Sequence, residues 1–288
     1  MNISVSIHAR LLNRAKARGE DFNLVLMRYT IERFLYRLSQ SPAREAFCLK
    51  GALLFSLWFD SPHRPTHDAD FLGLGPANVD ALKSTMREIC AVVVEDGMLF
   101  DPDSIKIEEI REDSHYGGLR VRLLGMLGKA RCPMQLDIGY GDAITPGPEE
   151  ATYPTILNDQ PAPQLRVYPR ATVAAEKLDA ISSLGLANTR MKDYFDLLAL
   201  AQEGVLDGQT LASAITATFH RRGRVLTADM LLGLSDEFAW DSTKRTQWKA
   251  FLNKNRLDAP ELDEVVREIR NFVAESLTLA FERNAAQE

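Results

Sequence analysis

The chain has 288 residues, 45% of them hydrophobic and 26% charged, which is length enough for one large domain or two modest ones with buried cores. Its formal net charge of −6 argues against indiscriminate coating of nucleic acid, though not against a local basic face. No apolar run approaches the roughly 18–20 residues that span a bilayer, and the N-terminus has no apolar secretory core, so the expected location is the cytoplasm without membrane association. Cys48, Cys90 and Cys132 are too far apart to suggest a disulfide framework or a zinc site.

In chain order, helices are predicted over residues 6–18, stopped by Gly19, and over residues 21–39. In the second, Phe22, Leu26, Tyr29, Phe34 and Leu38 recur at near-helical spacing before Ser41-Pro42. Residues 47–50 read as a short strand. Gly51 then opens an apolar helix over residues 52–58, cut by a loop over residues 60–65. Lys50-Gly51 at a strand-to-helix junction suits a phosphate-binding turn, because exposed helix N–H groups can meet an anion. The spacing of a P-loop is absent.

The segment Thr66-His67-Asp68-Ala69-Asp70-Phe71 follows. In an extended strand Asp68 and Asp70 project from one side while Ala69 and Phe71 turn inward. Two carboxylates on one edge repel each other, and a hard divalent cation removes that repulsion. Mg²⁺ in particular is held by one or two carboxylates together with substrate phosphates. The spacing therefore suggests phosphoryl or nucleotidyl transfer, with Arg64 as the partner in a metal-free alternative. Thr66 would share the face of Asp68, where its hydroxyl could touch a phosphate or be modified, although a lone threonine is more often a strand former. His67 points the other way and reads as a surface or packing residue.

Asn78 is expected to cap a helix reaching about residue 92, and residues 104–110, 119–127 and 133–139 read as strands. Asp137, in the last of these, is a candidate third carboxylate, with a loop-bonding acid at a strand end as the equally weighted alternative. Residues 142–164 carry five prolines, Pro146, Pro148, Pro154, Pro161 and Pro163, and read as a connector without regular structure. Helices are predicted beyond it over residues 172–184, 192–203, 208–219, 227–237, 242–253 and 260–285. The expectation is an α+β protein with a mixed sheet and N-terminal helices in residues 1–165 and an α-helical domain in residues 166–288.

In the helical half, Lys177 lies on a helix whose Val173, Leu178, Ile181 and Leu184 should face the core; a lysine there ordinarily snorkels to the surface. Asp193 and Asp196 share a face of the next helix. Asp193 suits a dipole partner near the helix start. Asp196, deeper among Phe195, Leu197 and Leu198, needs a cation such as Lys177 or Arg190.

Taken in order, FCLKGALLFSLW (residues 47–58), RPTHDADF (64–71), QLDI (135–138), AEKLDA (175–180) and RMKDYFDL (190–197) resemble the AbiEii/AbiGii-type nucleotidyltransferase toxins, which include the MenT-type toxins. The resemblance runs over about residues 20–202. It implies a polymerase-β-like nucleotidyltransferase fold, dependence on Mg²⁺ or Mn²⁺, a nucleoside triphosphate substrate and an RNA acceptor such as the tRNA 3′ end. It also implies an AbiEi-type antitoxin as partner. Asp68 and Asp70 would be metal ligands, with Asp137 as a third, and Lys50-Gly51 the nucleotide-binding turn. Lys177 would contact the triphosphate, Asp193 or Asp196 would supply the acid of the last motif, and Thr66 would match a Ser/Thr whose modification silences such toxins. Ala52 departs from the pattern, where a second glycine is frequent. A nucleotidyltransferase acting on protein or a small molecule, and a binding module without catalysis, are the competing readings.

Overall fold

A computed structural model describes residues 3–59, 63–110, 117–225 and 227–285. The chain divides into two compact units, Met1–Gly141 with Glu149–Val167, and Asp142–Pro148 with Tyr168–Glu288. Residues 60–62 of the loop expected at 60–65 lie outside the described residues.

In the first unit the helices are α1 (Ile3–Arg18), α2 (Phe22–Ser39), the single turn α3 (Phe55–Trp58) and α4 (Val79–Ala91). Their ends follow the local chemistry. Asp21 and Asn78 cap α2 and α4 by accepting from the Leu24 and Ala81 N–H groups. The strands are β1 (Phe47–Lys50), β2 (Asp68–Gly73), β3 (Met98–Ile110), β4 (Gly118–Leu127), β5 (Ala130–Tyr140), β6 (Glu149–Thr152) and β7 (Gln164–Val167). They form one mixed sheet in the order β3-β4-β5-β2-β1-β7-β6. The β2–β5 and β1–β7 pairs are parallel and the other pairs antiparallel.

Strand alternation divides the faces of this sheet. Leu49, Phe71, Ile138 and Leu119 fall in one register row and Ala69, Leu136 and Val121 in the next, all buried. Beside them α2 buries Leu26, Tyr29, Phe34, Leu35 and Leu38, and Phe34 meets Phe100 of β3 edge to face at 5.6 Å. One buried ion pair ties α2 to the sheet. Arg37 forks onto Asp96 at 2.7 and 3.0 Å and donates to the Met98 carbonyl, and the Tyr29 hydroxyl donates to the Asp96 carbonyl.

The proline-rich segment departs from expectation. It contains β6 and leads into β7, which pairs with β1 at Leu49↔Val167. Local composition spoke against regular structure, but an open strand edge supplies backbone partners that a linker would lack. The segment is also anchored by Arg33, whose Nη2 donates to the Pro161 carbonyl at 2.9 Å, and by the Ile156 N–H, which donates to Glu32.

The second unit is helical: α5 (Arg170–Leu184), α6 (Met191–Glu203), α7 (Gly208–Arg221), α8 (Asp236–Trp240), α9 (Ser242–Asn255) and α10 (Leu262–Ala285). Gly204 ends α6 in the left-handed conformation at φ 66°. The helix expected over residues 227–237 is instead a 3₁₀ segment, Ala228–Leu234, followed by α8, because Ser235 caps a new helix there. Val173, Leu178 and Ile181 are buried as the spacing of α5 predicts, whereas Leu184 at its end is exposed. Tyr194 stacks on Phe238 at 5.0 Å, and Trp248 is buried with its indole N–H donating to the Pro260 carbonyl. Among the described residues no helix is long and apolar enough to cross a membrane.

Candidate active site

The charged face of the sheet is organised by register. Lys50 of β1 lies opposite Asp70 of β2, Asp70 opposite Asp137 of β5, Asp137 opposite Arg120 of β4, and Arg120 opposite Glu108 of β3. A second row runs Asp68, Gln135, Arg122, Lys106. Register partners project from the same face, so three carboxylates from two strands converge there. Ala69 and Phe71, between and after the paired acids, are 0% and 2% exposed, which fixes the outward direction of Asp68 and Asp70. The sheet thus brings Asp137 beside Asp70, from the separate strand that the sequence suggested.

Asp137 is already engaged. Arg120 donates from Nε to Oδ1 at 2.8 Å and from Nη2 to Oδ2 at 2.6 Å, and Gln135 adds a longer contact at 3.4 Å. The hydrogen bond to Asp137, outweighing partial burial, holds the Arg120 guanidinium above its ordinary pKa. Arg122 Nη1 in turn bridges both carboxylate oxygens of Glu108 at 2.9 and 3.0 Å. Among the described residues, no three His, Cys, Asp or Glu side chains form a ready-made metal cluster.

The turn after β1 is shaped around Asp70. Gly51 has φ +74°, and a Cβ there would lie 2.8 Å from Asp70 Cγ, so both backbone conformation and space demand glycine. Gly51–Leu54 is a 3₁₀ turn with Lys50 at its head, shorter than the helix expected from residue 52. Thr66 precedes β2, and its hydroxyl donates to the Asp68 carbonyl at 3.3 Å, a local turn contact that strand alternation did not anticipate. His67 is exposed, with a ring nitrogen 3.1 Å from Met27 Sδ.

In the helical unit, Lys177 Nζ lies 3.1 Å from Asp193 Oδ1 and 2.5 Å from Asp196 Oδ2. All three residues are buried. Arg190 Nε closes the group on Asp193 Oδ2 at 2.7 Å. Burial pushes the Asp193 carboxyl upward, but Lys177 and Arg190 outweigh it and hold the group below its ordinary range. The lysine therefore does not snorkel: it is fixed between two carboxylates one helical turn apart. Both candidate acids of the last motif serve the same ammonium.

Two residues beyond Lys177 on α5, Asp179 was not singled out by its local motif, yet it is buried and clamped by Arg222 at 2.5 Å and Arg224 at 2.6 Å. Arg222 also approaches Asp142 at 3.5 Å and Glu176 at 3.7 Å. The readable signal was a basic cluster, Arg221-Arg222-Gly223-Arg224, just past a helix end, together with a second acid in Ala175-Glu176-Lys177-Leu178-Asp179. The three cysteines are free, and burial pushes Cys48 and Cys90 up to about 12 and about 11, so neither is a nucleophile near neutral pH.

The profile of the nucleotidyl transferase AbiEii toxins of type IV toxin–antitoxin systems matches residues 33–273. The chain belongs to this family. It is accordingly a nucleotidyltransferase, and as the toxin of a toxin–antitoxin pair it has an antitoxin counterpart. Among solved structures it is similar to the MenT4 nucleotidyltransferase toxin of Mycobacterium tuberculosis H37Rv, at 20% identity and a TM-score of 0.55, over 95% of this chain and 98% of that one. It is also similar to JHP933 from Helicobacter pylori, at 18% identity and a TM-score of 0.47, over 92% of this chain and 98% of that one. A third similar structure, a putative nucleotidyltransferase from H. pylori, has 17% identity and a TM-score of 0.45, over 92% of this chain and 97% of that one. No curated protein is significantly similar to the chain. The MenT4 match supports the nucleotidyltransferase-toxin fold for this α+β chain.

For this family member the fit of a divalent cation rests on the donor set. Asp68 and Asp70 supply hard oxygen donors two residues apart on one strand, and Gly51 keeps the space beside Asp70 clear of a side chain.

Proposed function

We propose that this toxin transfers a nucleotide from a nucleoside triphosphate to the 3′ end of an RNA, with tRNA as the acceptor class and Mg²⁺ or Mn²⁺ as the cofactor. The observation that carries the reading is the register row in which Asp70, with Asp68 beside it, stands next to Asp137 and adjoins the glycine turn at Lys50-Gly51. A cation on Asp68 and Asp70 would supply charge neutralisation and a template for the triphosphate.

The reaction forms a bond between the acceptor oxygen and the α-phosphorus and breaks the bond to pyrophosphate, while the acceptor hydroxyl gives up its proton to Asp137 or to solvent. Asp68 and Asp70 would hold the cation that meets the triphosphate end of the substrate, and Lys50 with the turn at Gly51 offers an anion site beside them. Lys177 is the proposed cation for the β- and γ-phosphates. Its ammonium is held in one position by Asp193 and Asp196, which removes the rotamer freedom a free lysine would lose on binding. Asp137 is the proposed acceptor-side carboxylate. Phosphorylation of Thr66 would add a charge of about −1.5 to −2 next to Asp68 and so oppose triphosphate binding. The antitoxin partner is proposed to be of the AbiEi type.

The test is incubation of the protein with each α-³²P-labelled nucleoside triphosphate and total RNA, followed by nuclease or protease digestion. Label that is lost to nuclease and absent from Asp70→Asn supports the reading. Label that survives nuclease and is lost to protease would move the acceptor to protein, and undiminished RNA labelling by folded Asp70→Asn would sink the assignment of the acids.

A further inference from the structure

Asp137 is a surplus carboxylate: in register with Asp70, yet with both of its oxygens taken by the two parallel N–H bonds of Arg120. A fork of this kind is the strongest and most directional pairing a carboxylate makes in a protein. Its geometry is set by the sheet, since Arg120 and Asp137 are direct cross-strand partners. The next acid along the row, Glu108, is a register neighbour of Arg120 but takes its hydrogen bonds from Arg122 Nη1. The hydrogen bonds of Arg120 go to Asp137. The pair is only partly covered, at 32% and 21% side-chain exposure, so the guanidinium can exchange partners without unfolding the sheet.

We propose that Arg120 is a positioning residue that occupies the third carboxylate in place of a divalent cation, so that before nucleotide and acceptor arrive the cation site consists of Asp68 and Asp70. This rests on the cation-dependent reading above and adds to it a resting state with one cation. A unit positive charge fixed on both oxygens of Asp137 does two things: it takes a lone pair on each oxygen, and it repels a second cation. The arrangement keeps the protein from assembling a complete two-cation centre, in which both the attacking and leaving oxygens are stabilised, while no acceptor is present.

The experiment titrates the full-length protein with Mn²⁺ alone and follows the free-ion signal by electron paramagnetic resonance, with circular dichroism to establish folding. Arg120→Gln is expected to gain a second bound Mn²⁺ or to bind Mn²⁺ about tenfold more tightly than wild type, as removal of a nearby like charge requires. Arg120→Lys, which keeps the charge, should stay near wild type. In an Asp137→Asn background Arg120→Gln should bring no gain. Unchanged Mn²⁺ binding in folded Arg120→Gln, or an equal gain in the Asp137→Asn background, would overturn the proposal. Asp137→Asn alone gives an independent reading: Mn²⁺ affinity within about twofold of wild type is expected, and a tenfold loss would show that Asp137 is already a ligand. Loss of Mn²⁺ binding in Asp70→Asn tests the cation platform itself, separately from Arg120.

Discussion

The two charged clusters solve the same problem, carboxylates gathered in a small space, under opposite conditions of burial. On the sheet, Asp137 and Arg120 are partly open to water at 21% and 32% side-chain exposure, and the acids are spread over two strands. On α5 and α6, Asp193 and Asp196 are 1% and 0% exposed around one ammonium. A buried pair that loses one partner leaves an uncompensated charge in a poor solvent, whereas a half-exposed one is rescued by water. The helical cluster should therefore hold the fold as well as any substrate, and the sheet cluster should be nearly free to serve chemistry.

The sharpest separation comes from Asp70→Asn. Nucleotide incorporation should fall by about three orders of magnitude, the scale of a lost charge-stabilising element, while the thermal midpoint stays close to wild type; a comparable loss of stability would erase the contrast. Asp196→Ala should do the reverse in its dominant effect, lowering unfolding free energy by about 3–5 kcal/mol in urea denaturation. A third substitution, Gly51→Ala, sits between these, because a side chain at φ +74° is strained and would press on Asp70. It should cost roughly 1–3 kcal/mol and also lower incorporation.

Acidity sharpens the comparison further. A carboxylate whose native pKa is depressed contributes stability above its unfolded value, and that contribution disappears as pH falls through the native value. For Asp193 the ordinary value is 3.8, so the contribution should be intact near neutrality and begin to fall only below about pH 4, on the way to the lower native value. Asp193→Asn should flatten the acid limb of the stability curve there. Glu32 behaves oppositely: burial raises it from 4.5 to about 7 against the pull of Arg33. Its folded state is favoured when protonated, so stability should decline as pH rises from about 4.5 towards 7, a trend that Glu32→Gln should remove. Least affected of all should be Arg44→Ala, which breaks surface pairs with Glu45 and Glu150 and should cost no more than about 1 kcal/mol in the same denaturation experiment.

What the sequence made readable was local. The alternation that turns Ala69 inward, the cap at Asn78, and the glycine stops at Gly19 and Gly204 each depend on a handful of neighbouring residues. The apolar setting of Asp196 likewise demanded a cation, and Lys177 was one of the two proposed. The register that sets Asp70 beside Asp137, and Asp137 beside Arg120, was not readable, because it depends on β5 inserting next to β2 from some sixty residues away. Arg37 and Asp96 form a fully buried pair across a similar separation, and nothing near either residue announces it. The 142–164 segment shows the limit from the other side: its prolines describe the chain's own preferences, and β6 forms because β7 offers it partners.

An open sheet has two outer strands, and each could template the addition of a foreign one. β6, at one end, reads Glu149-Glu150-Ala151-Thr152 and is short and mostly exposed. β3, at the other, carries Pro102, a register irregularity between Asp101 and Lys106, and the charges of Asp103, Lys106, Glu108 and Glu109. Charge, proline and a bulge are the features that discourage edge-to-edge growth into aggregates. A protein built this way can persist at high concentration as a separate molecule, a useful property for a toxin that must wait beside its antidote.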